Sequence, residues 1–391
     1  MALVEQLKRD AWRFVQAFNT ETRLATRSWT IHWLGWIWPL LLFVVISGIY
    51  KAGTLQDMPV SVVDEDHSSL SRQLLRQLDA GPHAQLVTQT AGLPEALRHM
   101  QAADQYGLLY VPRDFEKDVL AGRRPSVQFY YNSLFYAAGF YSTQDFAGLA
   151  ALLDQQVRPV LAAGMGKPVP SLASVSVSFE SLYNASGNYI YYQQFAAIVH
   201  LLQLFVIIAT IHVLAREAPE LRASSPHILR AKALGVRLLG KLAPYTLLFS
   251  TLLMVELFLL VVLNGAVIKG SVGWMLAITI CYVVAAQAIG LLLFIFTANR
   301  FSAYSLVGML IGIAQTYSGV LIPTLAMPLP AQAISYLEPL THCLNGLFDQ
   351  FLREAPANSG AYACLKLSLY PLVTYMIAKQ RLRKRLDFSP A

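Results

Sequence analysis

Residues Ile190–Leu214 read IYYQQFAAIVHLLQLFVIIATIHVL, with no Asp, Glu, Lys or Arg among them. As a helix rising about 1.5 Å per residue, such a run is longer than a bilayer core roughly 30 Å thick. Working outward from it, five more segments have the same character: Ile31–Tyr50, Leu242–Val262, Val272–Thr297, Ser302–Leu321 and Ala361–Ala378. The last is interrupted by Lys366 and Pro371, but Lys366 lies near one end, where a long stem lets its ammonium reach the headgroups. The first run is too long for a cleaved signal, and no small-residue cleavage site follows it. These segments predict an α-helical integral membrane protein with six transmembrane helices.

Composition agrees. The 391-residue chain is 55% hydrophobic and only 14% charged, where soluble domains carry about 25% charge. That balance excludes a disordered chain and argues against a soluble enzyme. The net charge of +7 is explained by where the basic residues sit. Residues 1–30 carry Lys8, Arg9, Arg13, Arg23 and Arg27. The 215–241 stretch carries Arg216, Arg222, Arg230, Lys232, Arg237 and Lys241. Arg300 follows, and the 379–391 tail carries Lys379, Arg381, Arg383, Lys384 and Arg385. If six spans alternate, all four segments share one side, and the short loops opposite, about 263–271 and 322–360, carry only Lys269 and Arg353. Both termini are then cytoplasmic, in a bacterial inner membrane, and the basic surplus needs no nucleic acid.

Between the spans, residues 1–30 interleave apolar and charged positions as an amphipathic helix on the inner leaflet does. Residues 51–189 form the one large hydrophilic block. Strand patterns at 60–64, 84–90, 106–111, 126–131 and 174–179 alternate with helical patterns at 68–78, 94–103, 113–121 and 137–162. This predicts a mixed α/β external (periplasmic) domain between spans one and two. The aromatic group Tyr183, Tyr189, Tyr191, Tyr192 and Phe195 marks the return to the headgroup level. Residues 322–360, with Pro323, Pro328, Pro330 and Pro339, exceed a hairpin and suit short helices resting at the outer face.

Catalytic patterns are absent: no HExxH, no GxSxG and no paired Cys/His ligands. Cys281, Cys343 and Cys364 lie far apart in sequence and form no CxxC pair. Gly235-Val-Arg-Leu-Leu-Gly240-Lys241 has phosphate-loop spacing, but Leu242 stands where a Mg²⁺-binding hydroxyl belongs and no strand precedes it. Asp64-Glu65-Asp66-His67 is acidic, yet neighbours on an extended chain point to opposite faces, which favours a solvated loop over a metal site. The sequence therefore predicts no catalytic, cofactor or metal residues. Within the spans, Glu256 is the one acidic residue. Two readings stay open for it: a group on a translocation path, or a carboxyl settled against a neighbouring helix. Gln203, Gln287 and Gln315 either join that path or glue helices together.

On four local features the chain resembles the permease subunits of type-2 ABC exporters. The first is the layout of one span, a large external domain and five spans. The second is Arg216-Glu217, Pro226 and Gly240-Lys241-Leu242-Ala243-Pro244-Tyr245, similar to that family's cytosolic loop. The third is Phe129-Tyr130-Tyr131-Asn132. The fourth is Met327-Pro328-Leu329-Pro330 followed by Glu338-Pro339-Leu340-Thr341-His342. Departures are Ala218-Pro219-Glu220-Leu221-Arg222 in place of a Gly-Thr-x-Glu turn, and Ser133 in place of Pro after Asn132. The resemblance implies a 215–241 coupling loop contacting a cytosolic ABC ATPase dimer through Arg216, Glu217 and Glu220, with ATP and Mg²⁺ held on that partner. It also implies a second permease copy, in a homodimer or heterodimer, and a periplasmic adaptor as a further candidate partner. Two rival classes are an ion-coupled secondary transporter, which Glu256 would serve, and a membrane sensor whose external domain binds a ligand. No internal repeat of spans and no cytosolic output domain support either.

Overall fold

The structure is a computed structural model that describes residues 2–387, apart from 90–91, 103, 122–125, 132–140, 142, 150, 152–183, 185–186, 224–232, 298, 354 and 357. For 2–3, 88–89, 217–223, 233–234, 264 and 379–387 it describes the backbone but not the side chains. The chain divides into two compact units, Met1–Lys51 with Ser181–Ala391, and Ala52–Glu180.

The first unit is helical. Helix α1 spans Ala2–Arg27. Helix α2 covers Trp29–Ile49, with a π-helical turn at Trp33–Ile37. A π-helical turn, Ile190–Gln194, leads into α6, Phe195–Ala223. Then come α7, Ala233–Asn264, and α8, Val272–Phe296. Helices α9, Arg300–Tyr317, α10, Leu329–Leu337, α11, Pro339–Phe351, and α12, Asn358–Asp387, complete it. Among the described residues, five helical segments are long and apolar enough to cross a membrane: Trp29–Ile49, Ile190–Arg216, Gly235–Leu263, Val272–Phe296 and Asn358–Ala378. Helix α12 runs straight through Pro371.

The segment predicted at 302–321 departs from this set. Its helix α9 has 18 residues and stops at Tyr317, about 27 Å at the helical rise. Gly319, at φ +86°, then takes a left-handed turn that stops the helix going on. Arg300, Ser302, Ser305, Gln315 and Thr316 make it more polar than its neighbours. Five segments therefore qualify by length and composition where the sequence suggested six.

The core centres on α8, whose Met275, Ile278, Tyr282, Val283, Ala285 and Ala286 are fully buried. Helices α6, α7, α11 and α12 pack around it. Within 322–360 the chain forms the short helices α10 and α11, and α11 packs into the bundle. Its stripe Leu340, Cys343, Leu344, Leu347 and Phe351 recurs at helical spacing and is buried within the bundle. Closeness here depends on Gly346, where a Cβ would stand 2.6 Å from Ala363 Cβ. The cysteines, distant in sequence, are neighbours in space: Cys281, Cys343 and Cys364 lie within electrostatic reach of one another. All three are free thiols.

The second unit holds a four-stranded sheet of β1, Met58–Asp64, β2, Ala84–Gln89, β3, Gly107–Val111, and β4, Gln128–Tyr131, in the order β2-β1-β3-β4. Strands β1–β2 and β1–β3 pair parallel, and β3–β4 antiparallel. The crossovers are α3, Ser69–Asp79, α4, Leu93–Gln101, and α5, Phe115–Leu120. Alternation along β1 sends Val60 and Val62 to one face, with Leu74, Leu78 and Phe115. Val63 goes to the other, with Ala96 and Met100. A helical stretch at 143–149 joins the first face. The strand expected at 174–179 and most of the helix expected at 137–162 lie outside the described residues.

Candidate functional site

Helix α1 turns one face inward. Arg13, Phe14, Ala17, Phe18, Glu21 and Ala25 are its less exposed positions, three and four residues apart. The face lies on α7 at Gly240, where a Cβ would stand 2.6 Å from the Phe14 carbonyl oxygen and 3.0 Å from Ala17 Cβ. One turn beyond that contact sits Glu21, 2% exposed.

Three donors converge on the Glu21 carboxylate. Arg216 Nη2 donates to Oε1 at 2.5 Å and Tyr245 Oη to the same oxygen at 2.6 Å. Lys241 Nζ donates to Oε2 at 2.7 Å. Lys241 is itself buried, whereas Arg216 remains partly exposed. Burial acts to raise the Glu21 carboxyl. The Lys241 and Tyr245 hydrogen bonds, with the Lys241 and Arg216 charges, outweigh it and hold the group below its ordinary value of 4.5. Removing one side of such a buried pair costs about 3 to 5 kcal/mol, because the remaining charge is left unpaired.

The elements give this cluster its meaning. Arg216 ends the membrane-length stretch of α6, and Lys241 lies six residues into that of α7, Gly235–Leu263. Glu21 therefore ties α1 to both sides of the 215–241 loop. Of the residues the resemblance singled out, Arg216 lies here with an intramolecular partner. Glu217 and Glu220 continue α6, and their side chains lie outside the described residues. The Gly235–Lys241 stretch is helical, so its glycine and lysine serve the α1 contact instead of cradling a phosphate.

The polar residues of the spans do not meet at one point. Gln203 Nε2 donates to Glu338 Oε1 at 2.7 Å, and Tyr282 Oη donates to Gln203 Oε1 at 3.0 Å and to the Val199 carbonyl at 3.1 Å. Burial pushes the Glu338 carboxyl up, and the bonds from Gln203 and the Leu340 N–H offset part of that. Gln287 Nε2 donates to the Leu242 carbonyl at 3.2 Å and its Oε1 accepts from Thr246 Oγ1 at 2.9 Å. Both amides thus join helices. Gln315 is half-buried on α9, where its carbonyl accepts from Ser318 Oγ. Glu256 stands apart, lining a cleft with residues of α2 and α6.

In the other unit, Asp64 is occupied locally. Its Oδ1 accepts from the Asp66 and His67 N–H groups and its Oδ2 from Ser71 Oγ. The acidic run is a turn that caps α3's approach. Among the described residues no group of three or more His, Cys, Asp or Glu is placed to hold a metal.

Glu21, Tyr282 and Glu338 went unnoticed as site residues in the sequence. The signal for Glu21 is an acidic residue on the inward stripe of α1 beside Phe14, Ala17, Phe18 and Ala25. Lys241, Tyr245 and Glu338 stand inside the motifs already quoted.

No curated protein matches the chain. A family model described as ABC-2 family transporter protein matches residues 29–378, nearly the whole chain. The membrane-length helices and that match agree: the chain belongs to the ABC-2 family of transporter proteins, as a membrane-embedded transport subunit.

Proposed function

We propose that this chain is the permease of an ATP-driven exporter, moving a hydrophobic or amphipathic substrate out of the cytoplasm or inner membrane. A separate cytosolic ATPase dimer, binding ATP and Mg²⁺, drives it. The observation that carries this reading is the Glu21 cluster. It locks α1 to the spans on both sides of the 215–241 loop. A push on that loop cannot move α6 alone: α1 and the start of α7 must move with it or the buried pairs must break.

Glu217 and Glu220, just beyond the cluster, are the contacts proposed for the ATPase. Arg216 anchors the loop from the permease side. Helix α9 completes a six-pass chain with both termini cytoplasmic and the α/β unit external, as the basic residues of 1–30, 215–241 and 379–391 favour. A second permease copy supplies the other half of the pore, and the external unit is the surface for a periplasmic adaptor. The test is affinity purification from native membranes in mild detergent. An ABC ATPase should co-purify, and Glu217→Ala with Glu220→Ala should release it. Its absence, even after crosslinking before solubilisation, would overturn the reading.

A further inference from the structure

Glu256 is 3% exposed and lines a narrow, partly open cleft with room for about one water-sized group. The walls are apolar, with Leu42, Phe43 and Ile46 from α2 and Leu202 and Phe205 from α6. No hydrogen bond or ion pair engages the Glu256 carboxyl among the described residues, unlike Glu21 and Glu338. Glu256 lies seven residues before Leu263, about 10 Å at the helical rise, and the lining residues Ile198, Leu201, Leu202 and Phe205 fall around the middle of Ile190–Arg216. Beside the cleft, Leu41, Val44 and Val45 on α2 are exposed.

We propose that this cleft binds the ammonium head of a cationic amphiphile. The Glu256 carboxylate meets the positive charge, the Phe43 and Phe205 rings flank it, and the apolar tail lies along α2.

The chemistry selects this ligand over others. An ionised carboxylate alone among apolar side chains at bilayer depth is costly, and either a proton or a bound cation relieves it; a cationic head supplies the second. No Lys or Arg lines the cleft to do so. Phosphate and carboxylate headgroups are repelled. A neutral tail fills the walls but leaves the carboxyl without a partner. Aromatic faces add attraction for an ammonium, by about 0.5 to 2 kcal/mol. The room is that of about one water, so the cleft takes a primary ammonium group and nothing larger, while the tail stays in lipid. The use of the site for substrate rests on the transport reading; the binding itself does not.

The experiment uses the full chain in lipid nanodiscs and three photoactivatable probes with one tail: dodecylamine, dodecanol and dodecanoate. Labelled peptides are mapped by mass spectrometry. The amine should label residues near Leu42–Ile46 and Leu202–Phe205 saturably, at least about tenfold more than the alcohol, a gap of about 1.4 kcal/mol. Dodecanoate should not label there. Glu256→Gln, nearly isosteric, should abolish the preference, and Glu256→Leu should do the same. Equal labelling by all three probes would overturn the proposal and make the cleft ordinary lipid contact. So would an amine preference that survives both substitutions. The three-probe comparison on the unaltered protein decides the matter even if a variant fails to fold. Capture of the ATPase, read on the same preparations, reports separately on the exporter reading.

Discussion

Glu21 is the residue that holds α1 to α6 and α7. Its carboxylate is shared by Arg216, Lys241 and Tyr245, so its loss strands a buried ammonium. Glu21→Gln should lower stability by about 3 kcal/mol or more, read as a lower midpoint of thermal unfolding in detergent. Lys241→Met should recover part of that loss in the Glu21→Gln background, because the stranded charge is gone. The pH dependence has a definite sign. A carboxylate held below 4.5 in the fold contributes stability that is complete above that value and is lost as pH falls through the lower, folded value. The midpoint of thermal unfolding in detergent should therefore hold steady above pH 4.5 and fall as the pH is lowered below it. Gln203→Leu should cost about 1 to 3 kcal/mol, since Glu338 then loses its amide donor in a buried site.

Helices and strands were legible to the degree that their own residues decide them. The strands at Met58–Asp64 and Gly107–Val111 lie where alternating β-branched and apolar residues stand between turn residues. Ile190–Arg216 and Val272–Phe296 follow from uninterrupted apolar runs. Less is legible where a partner or a turn decides. Helix α9 stops at Tyr317 because the chain turns at Gly319, which hydropathy does not sense. Helix α11 is buried because α8 and α12 leave a slot for its apolar stripe. The Glu21 cluster joins residues about 200 positions apart, and nothing local to Glu21 names its donors. At this scale the sharpest test is Gly240. Leucine there would drive a side chain into the Phe14 carbonyl, so Gly240→Leu should detach α1 while leaving the spans inserted. Quenching of Trp12 fluorescence by iodide should change, with the secondary structure content unaltered.

For the whole molecule, the family match and the membrane-length helices establish a transport subunit. Its setting in the membrane is the next claim. Single cysteines introduced in Ala52–Glu180, in a background lacking Cys281, Cys343 and Cys364, should react with an impermeant maleimide from outside the cell. Cysteines at 224–232 should react only after permeabilisation. The reverse pattern would invert the orientation. The central claim is that the loop tied down by Glu21 receives the thrust of an ATPase. A photo-crosslinking amino acid at Glu220, activated in intact membranes, tests it most directly. The account predicts a crosslink to an ABC ATPase, with a yield that changes when ATP is trapped. No ATPase crosslink at 220 or at flanking positions of the loop, in membranes where the permease is fully inserted, would contradict it.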